Sequence, residues 1–174
     1  MRTVAAFDFD GTLRPGDSLH PFLRLVVPRW RLILCLLWAS PRLVLVPLGG
    51  RHRDRAKAAV LAVALRKMPV AAFDAACDLY AARLEQELRP DVIARARWHQ
   101  EQGHQVVIVS ASPEHYLQPL AERLGFVAVL GTNLERDSSH MTGRLVGANV
   151  RGAEKVRRLT EWLVGEPVRL WAYG

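Results

Sequence analysis

An α/β fold built on a doubly wound, Rossmann-like parallel sheet is what this 174-residue sequence predicts. Three observations predict it. Short apolar runs at residues 2–9, 105–110, 126–130 and 168–173 read as buried strands and alternate with helix-favouring segments. Half the residues are hydrophobic, enough for a real core. The first run ends in two carboxylates one residue apart, Asp8-Phe9-Asp10-Gly11-Thr12, at the strand mouth where such sheets carry their sites.

Residues 2–9 form the first strand, and residues i and i+2 of a strand point the same way, so Asp8 and Asp10 converge if strand geometry persists. Leu13 to about Gln86 reads as mostly helical, broken by Pro15, Pro21, Pro28, Pro41 and Pro47. Within it lie two apolar runs, Leu32–Trp38 and Leu43–Leu48, separated by Ala39-Ser40-Pro41-Arg42 and flanked by arginines. A spanning helix needs roughly twenty apolar residues without such a break. The pattern predicts a hydrophobic helical hairpin instead, packed in a cap or dipping into one leaflet. Residues 56–67 are Ala-rich and helical. Phe73, Cys77, Tyr80 and Leu84 recur at helical spacing, an apolar stripe read as core.

Pro90 opens a helix over 91–102 that Gly103 stops. Residues 105–110 are the second strand, Pro113 to Leu124 a helix closed by Gly125, and Phe126–Leu130 a third strand. Residues 132–146 read as a β-hairpin turning through Asp137-Ser138-Ser139. Glu154–Leu163 is an amphipathic helix and Val168–Tyr173 the fourth core strand.

The formal net charge is +7, carried mostly by arginine; Lys57, Lys67 and Lys155 are the only lysines. Such a balance suits phosphorylated substrates, an anionic membrane or nucleic acid. The basic residues are scattered and show no recognition motif, so no nucleic-acid partner is expected. Cys35 and Cys77 lie in apolar contexts without metal spacing, as buried thiols do. Asp8 and Asp10 interrupt the N-terminal apolar stretch, which therefore does not read as a signal peptide. The expected location is cytoplasmic, with possible membrane association through residues 30–50.

Two carboxylates at one strand mouth repel each other unless a cation or a shared proton compensates. The economical reading is a Mg²⁺-assisted site, with Asp8 placed to attack and Asp10 to handle a proton. The plain alternative is a strand end whose carboxylates cap the next turn. Ser110 closes the second strand beside a helix N-terminus, a natural phosphate contact. Ser112 reads as a second contact or as that helix's N-cap, and its place before the helix favours the cap. Lys155 opens the helix after the hairpin; alone, such a lysine is a solvated side chain.

Asp8-Phe9-Asp10-Gly11-Thr12 resembles the first motif of the haloacid dehalogenase (HAD) phosphohydrolase superfamily. Ser110 matches the second motif, and Lys155 in Gly152-Ala153-Glu154-Lys155 matches the third. The run from Asn133 through Thr142-Gly143-Arg144 to Lys155 is similar to subfamily IB, which includes phosphoserine phosphatase. The paired apolar segments and Ser110-Ala111-Ser112-Pro113 resemble the branch containing phosphatidylglycerophosphatase C. The resemblance implies a catalytic core over 1–13 and 87–174 and a helical cap over 14–86. It implies catalysis by Asp8 and Asp10, phosphate contacts from Gly11, Thr12, Ser110, Ala111 and Lys155, and Mg²⁺ on Asp8 and Asp10.

The family's fourth motif, an acidic loop after the last of these strands, has no match: the sequence ends at Gly174, where its first glycine would stand. The last strand and helix of the usual core are likewise missing. The expectation is a phosphomonoester hydrolase working through an aspartyl-phosphate, truncated before motif four. The substrate is then a phosphorylated lipid or other amphiphile, or a small soluble phosphate such as phosphoserine. The alternative is a catalytically impaired remnant that binds phosphate or membrane.

Overall fold

The computed structural model describes residues 1–34, 37, 50–165 and 167–174, with residues 51 and 53 described by backbone alone. The elements run β1 (Arg2–Phe7), α1 (Leu19–Val26), α2 (Gly50–Ala64), α3 (Val70–Gln86), α4 (Pro90–Glu101), β2 (Gln105–Pro113), α5 (Glu114–Leu124), β3 (Ala128–Arg136), β4 (Met141–Val146), α6 (Ala153–Trp162) and β5 (Val168–Tyr173). They build a five-stranded sheet in the order β4-β3-β2-β1-β5. β1 pairs in parallel with both β2 and β5, β2 with β3 also in parallel, and only β4 runs antiparallel, against β3. The chain works outward from β1 through β2, β3 and β4, then returns to lay β5 on the other side of β1. The strand order thus reverses at β1, and a crevice opens at its carboxyl end.

Strand alternation divides the core in two. Ala5 and Phe7 of β1 face a large apolar cluster with Ile108, Phe22, Tyr80, Leu84, Tyr116 and Leu117. Val4 and Ala6 face a smaller one with Val107, Val109 and Val150, against which Leu159 and Trp162 of α6 pack. Helices therefore cover both faces, as the predicted class requires. The stripe of Phe73, Cys77, Tyr80 and Leu84 is buried in the large cluster, as core. Burial pushes the Cys77 thiol far above its ordinary pKa, so it is an inert apolar group here.

Three boundaries differ from the sequence reading. β1 stops at Phe7, two residues early, because the chain turns at Gly11, whose φ is +85°. The run 126–130 and the first arm of the hairpin are one continuous strand, β3, since Gly131 extends without breaking the ladder; Phe126 lies before it. β2 extends to Pro113 through an irregularity between Val109 and Pro113. The hairpin itself is present as β3 and β4. Residues 29–34 are helical, but most of the proposed apolar hairpin, with Cys35, lies outside the described residues. No helix among the described residues is long and apolar enough to cross a membrane.

Several contacts hold the segment between β1 and α4 in place. At its root the buried Arg14 guanidinium pairs with Glu87 at 2.6 Å, and the Arg89 amide donates to the Leu13 carbonyl at 2.8 Å, joining the entering and leaving strands of chain. Further out, the Lys67 and Val70 amides donate to Met141 and Ser139 carbonyls, and the Met141 amide returns a bond to Met68. Beside that seam α2 lies directly on β4. A Cβ on Gly143 would stand 2.9 Å from the Ala62 Cα and from the Ala62 and Leu61 carbonyl oxygens, and its φ is +81°. Gly143→Ala is expected to cost about 2 kcal/mol or more, from left-handed strain plus forced separation of α2 from β4. The urea unfolding midpoint checks it.

A second consequence concerns pH. His99 is fully buried, with Nδ1 2.8 Å from His104 Nδ1 and Nε2 2.8 Å from the Tyr173 hydroxyl. Burial holds its pKa below the ordinary imidazole value, and His104 and Arg95 push the same way. The unfolded chain then binds the proton more readily, so stability is lost as pH falls through about 6.5. Urea titrations at pH 7.5 and 5.5 should show a drop in stability that is smaller in His99→Gln.

Candidate active site

Immediately after β1 the backbone leaves the ladder, yet the alternation of sides survives for three residues. The Asp8 amide donates to the Tyr173 carbonyl at 2.9 Å, which ties the turn to the end of β5. Phe9 is fully buried in the large core cluster. With Phe9 inward, Asp8 and Asp10 both turn to a cleft of about 500 Å³ at the mouth of the sheet. Gly11, Ser110, Ala111 and Lys155 line the same cleft. Thr12 stands outside this lining, half-buried, its amide donating to the Phe9 carbonyl at 3.2 Å.

The two carboxylates sit in different surroundings. Asp8 is about one-third exposed, and its Oδ1 accepts from Lys155 Nζ and from the Phe9 amide, each at 2.7 Å. Among the described residues no hydrogen bond reaches its Oδ2. Lys155 comes from the first turn of α6, which β3, β4 and the following loop deliver to the cleft. Asp10 is held on both oxygens. Oδ1 accepts from the Ser18 amide at 2.9 Å, and Oδ2 accepts a short hydrogen bond from the Ser112 hydroxyl. Burial raises the Asp10 pKa above the ordinary carboxylate value, against the lowering pull of the Ser112 and Ser18 hydrogen bonds.

Ser112 is therefore not the helix cap that its position suggested. It lies in the extension of β2, and α5 begins after Pro113 with no side-chain cap at all. Its hydroxyl gives its proton to Asp10 and accepts one from Ser18 Oγ at 2.9 Å, while the Tyr116 hydroxyl lies 2.8 Å from Ser18 Oγ. With Asp10 ionised, the self-consistent polarity is Tyr116 to Ser18 to Ser112 to Asp10, every proton leaning toward the charge. Tyr80 completes the shell by donating to the Ser18 carbonyl at 2.8 Å. The sequence reading missed Ser18, Tyr80 and Tyr116, because nothing in their local pattern separates a core tyrosine from one that steers a carboxylate. It also missed Asp17, Asp54, Lys57, Asn149 and Arg151, which line the cleft too.

Ser110 is buried, and its Oγ accepts from the Ser112 amide at 3.1 Å. The carboxylate oxygens of Asp8 and Asp10 on the cleft suit a hard cation such as Mg²⁺. Mg²⁺ is commonly held by one or two carboxylates, with waters and phosphate completing its shell. Among the described residues there is no cluster of three or more acidic, His or Cys side chains that would bind a metal without such help. A slightly larger cleft, about 590 Å³, lies between α3, α5 and β3. Its lining includes Asp74, Asp78 and Glu114 but no lysine beside a carboxylate at a strand mouth.

Residues 5–174 match the family model of haloacid dehalogenase-like hydrolases. The chain is 38% identical over 175 residues to Protein CicA of Caulobacter vibrioides, spanning 98% of this chain and 77% of that protein. It is 27% identical over 183 residues to the phosphoserine phosphatase SerB1 of Mycobacterium tuberculosis, across 98% of this chain and 57% of that one. Among solved structures, a Bordetella pertussis protein of unknown function superposes with a TM-score of 0.74 at 20% identity, covering 99% of this chain and 81% of its own. A phospho-aspartyl intermediate analogue of phosphoserine phosphatase gives 0.60 at 16% identity, covering 92% and 70%.

Proposed function

This chain belongs to the haloacid dehalogenase-like hydrolase family, and on that premise we propose that it hydrolyses phosphomonoesters through an aspartyl-phosphate on Asp8. One observation carries the reading. Lys155 and the Phe9 amide hold Asp8 Oδ1, which leaves Oδ2 as the oxygen facing an incoming phosphorus, while Asp10 waits on the same cleft with its proton under separate control.

In the first step Asp8 Oδ2 bonds to phosphorus, the ester P–O bond breaks, and Asp10 gives its proton to the departing alkoxide. Burial of Asp10 favours the protonated form that this step requires. In the second step a water attacks the same phosphorus, Asp10 takes the water's proton, and the acyl-phosphate bond breaks. Inorganic phosphate leaves and Asp8 is restored. Ser110, the Ala111 amide and Lys155 bind the phosphoryl oxygens, and Gly11 leaves room at the turn. Mg²⁺ would be held by the Asp8 carboxylate and the Asp10 carbonyl and would offset the charge of the phosphoryl group. Positioning and electrostatics supply most of the rate.

Asp8→Asn is expected to reduce Mg²⁺-dependent hydrolysis of p-nitrophenyl phosphate to background while leaving the circular dichroism spectrum unchanged. Lys155→Ala is expected to retain the fold and lose about 100-fold or more in kcat/KM. Wild-type turnover in either variant contradicts the assigned role.

The substrate we favour is a phosphorylated amphiphile, and an exposed surface within the 14–86 segment supports that choice. Trp30, Ile33, Leu34 and Leu37 are each more than half exposed, next to Arg29 and Arg31. Aromatic and aliphatic groups beside arginine suit the headgroup level of an anionic bilayer. A small soluble phosphate such as phosphoserine is the other substrate class. Replacing Leu34 and Leu37 by Ser should lower the fraction that sediments with phosphatidylglycerol-containing liposomes several-fold. Equal sedimentation removes the membrane contact and leaves the soluble substrate.

A further inference from the structure

Two of the chain's three lysines line the same cleft, and they arrive from different directions. Lys155 stands on α6 and meets Asp8. Lys57 stands on α2, which lies over the cleft, and its ammonium donates to the Ala111 carbonyl and, at 2.6 Å, to Asn149 Oδ1. The amide nitrogen of Asn149 donates in turn to Asp54 Oδ1 at 2.6 Å. The Asn149 orientation is fixed by its neighbours, because only its oxygen can face an ammonium and only its nitrogen a carboxylate. Thr132 Oγ1, fully buried, closes the set at 2.7 Å from the Ala111 carbonyl and 2.9 Å from Asn149 Oδ1, and it accepts from the Val150 amide at 3.1 Å. One turn of α2 thus clasps the core through a neutral pair, Asp54 and Lys57, bridged by one amide.

The place where this clasp lands is informative. Ala111 follows Ser110, and these two residues form the phosphate cradle of the reading above, on which this inference rests. The other anchors of α2, at β4, Met68 and Met141, are main-chain and apolar and lie away from the cleft. The clasp is the polar end of the helix, built from groups that water can replace.

We propose that Asp54, Lys57 and Asn149 are positioning residues that couple docking of α2 to the shape of the phosphate cradle. With the clasp closed, the Ala111 carbonyl is pinned by Lys57 and Thr132, and the 110–112 segment is fixed for phosphate. With it open, the Ala111 carbonyl keeps only Thr132. By linkage, phosphate then tightens α2 on the core to the same extent that a docked α2 tightens phosphate.

Asp54→Ala separates this coupling from simple attraction. Removing a carboxylate beside the cleft makes it more positive, so a purely Coulombic role predicts tighter phosphate binding. Loss of the clasp predicts weaker binding. The experiment titrates inorganic phosphate in the presence of Mg²⁺ into the whole chain by ³¹P NMR, with Lys57→Met, Asp54→Ala and Asn149→Ala alongside. Amide hydrogen exchange across 50–64 is followed with and without phosphate.

The expected result is about tenfold weaker phosphate binding in all three variants, and phosphate-induced protection of 50–64 in the wild type that disappears in each. Wild-type affinity in the variants, tighter binding in Asp54→Ala, or unchanged protection overturns the coupling and leaves the hydrolase reading standing. A folded wild type that binds no phosphate overturns both. Unchanged exchange protection in β1 and β2 identifies a variant that is still folded, and three separate substitutions keep the comparison valid if one of them is not.

Discussion

Burial of one ring, Phe9, is the constraint on which the site depends. Two carboxylates in sequence with a single residue between them have no intrinsic reason to face the same space once the strand has ended. Phe9 supplies it. Its side chain is sealed in the core with Leu13 and Phe22, and rotating the turn to release either carboxylate would drag that ring toward water. Exposing a buried phenyl costs on the order of 2–3 kcal/mol. The apolar core thereby holds two like charges at one cleft.

The protein then treats those charges differently. Asp8 stays about one-third exposed, and its Oδ1 meets the Lys155 ammonium. Asp10 is drawn inward, where burial favours the proton and a chain of hydroxyls from Tyr116 through Ser18 to Ser112 opposes it. Environments that separate two carboxylates in this way divide nucleophile from acid and base, which is the division the proposed chemistry needs. The hydroxyl chain draws on the inserted segment and the sheet together: Ser18 opens α1, Tyr80 lies on α3, and Ser112 and Tyr116 belong to β2 and α5. Folding of the insertion and tuning of Asp10 are in this sense one event.

The same interdependence holds for the boundary between core and cap. A cap over 14–86 is a division of the sequence, while the large apolar cluster runs without interruption from Phe22, Phe73 and Leu84 into Tyr116 and Ile108. Among the described residues, Leu19 of α1 and Asp54 and Lys57 of α2 line the cleft. α2 is held on both sides of that boundary: Leu61 and Ala64 join the large cluster, and Asp54 and Lys57 reach Asn149 at the cleft.

What the sequence by itself determined is whatever has a local cause. The parallel α/β class follows from apolar runs alternating with amphipathic helices, and the stripe Phe73–Leu84 follows from helical periodicity. The order of Asp8, Asp10, Ser110 and Lys155 along the chain resembles the family's motif order, and all four line one cleft. Tertiary structure decided what depends on contacts distant in sequence. Phe9, not a continued strand, aims the two carboxylates. Ser112 serves Asp10, 102 residues away, in place of its own helix. Asp54 and Lys57, four and seven residues past the start of the described part of α2, meet Asn149 more than ninety residues later. A hydroxyl or an amide has the same local pattern whether it caps a turn or crosses the molecule, and only packing selects its partner.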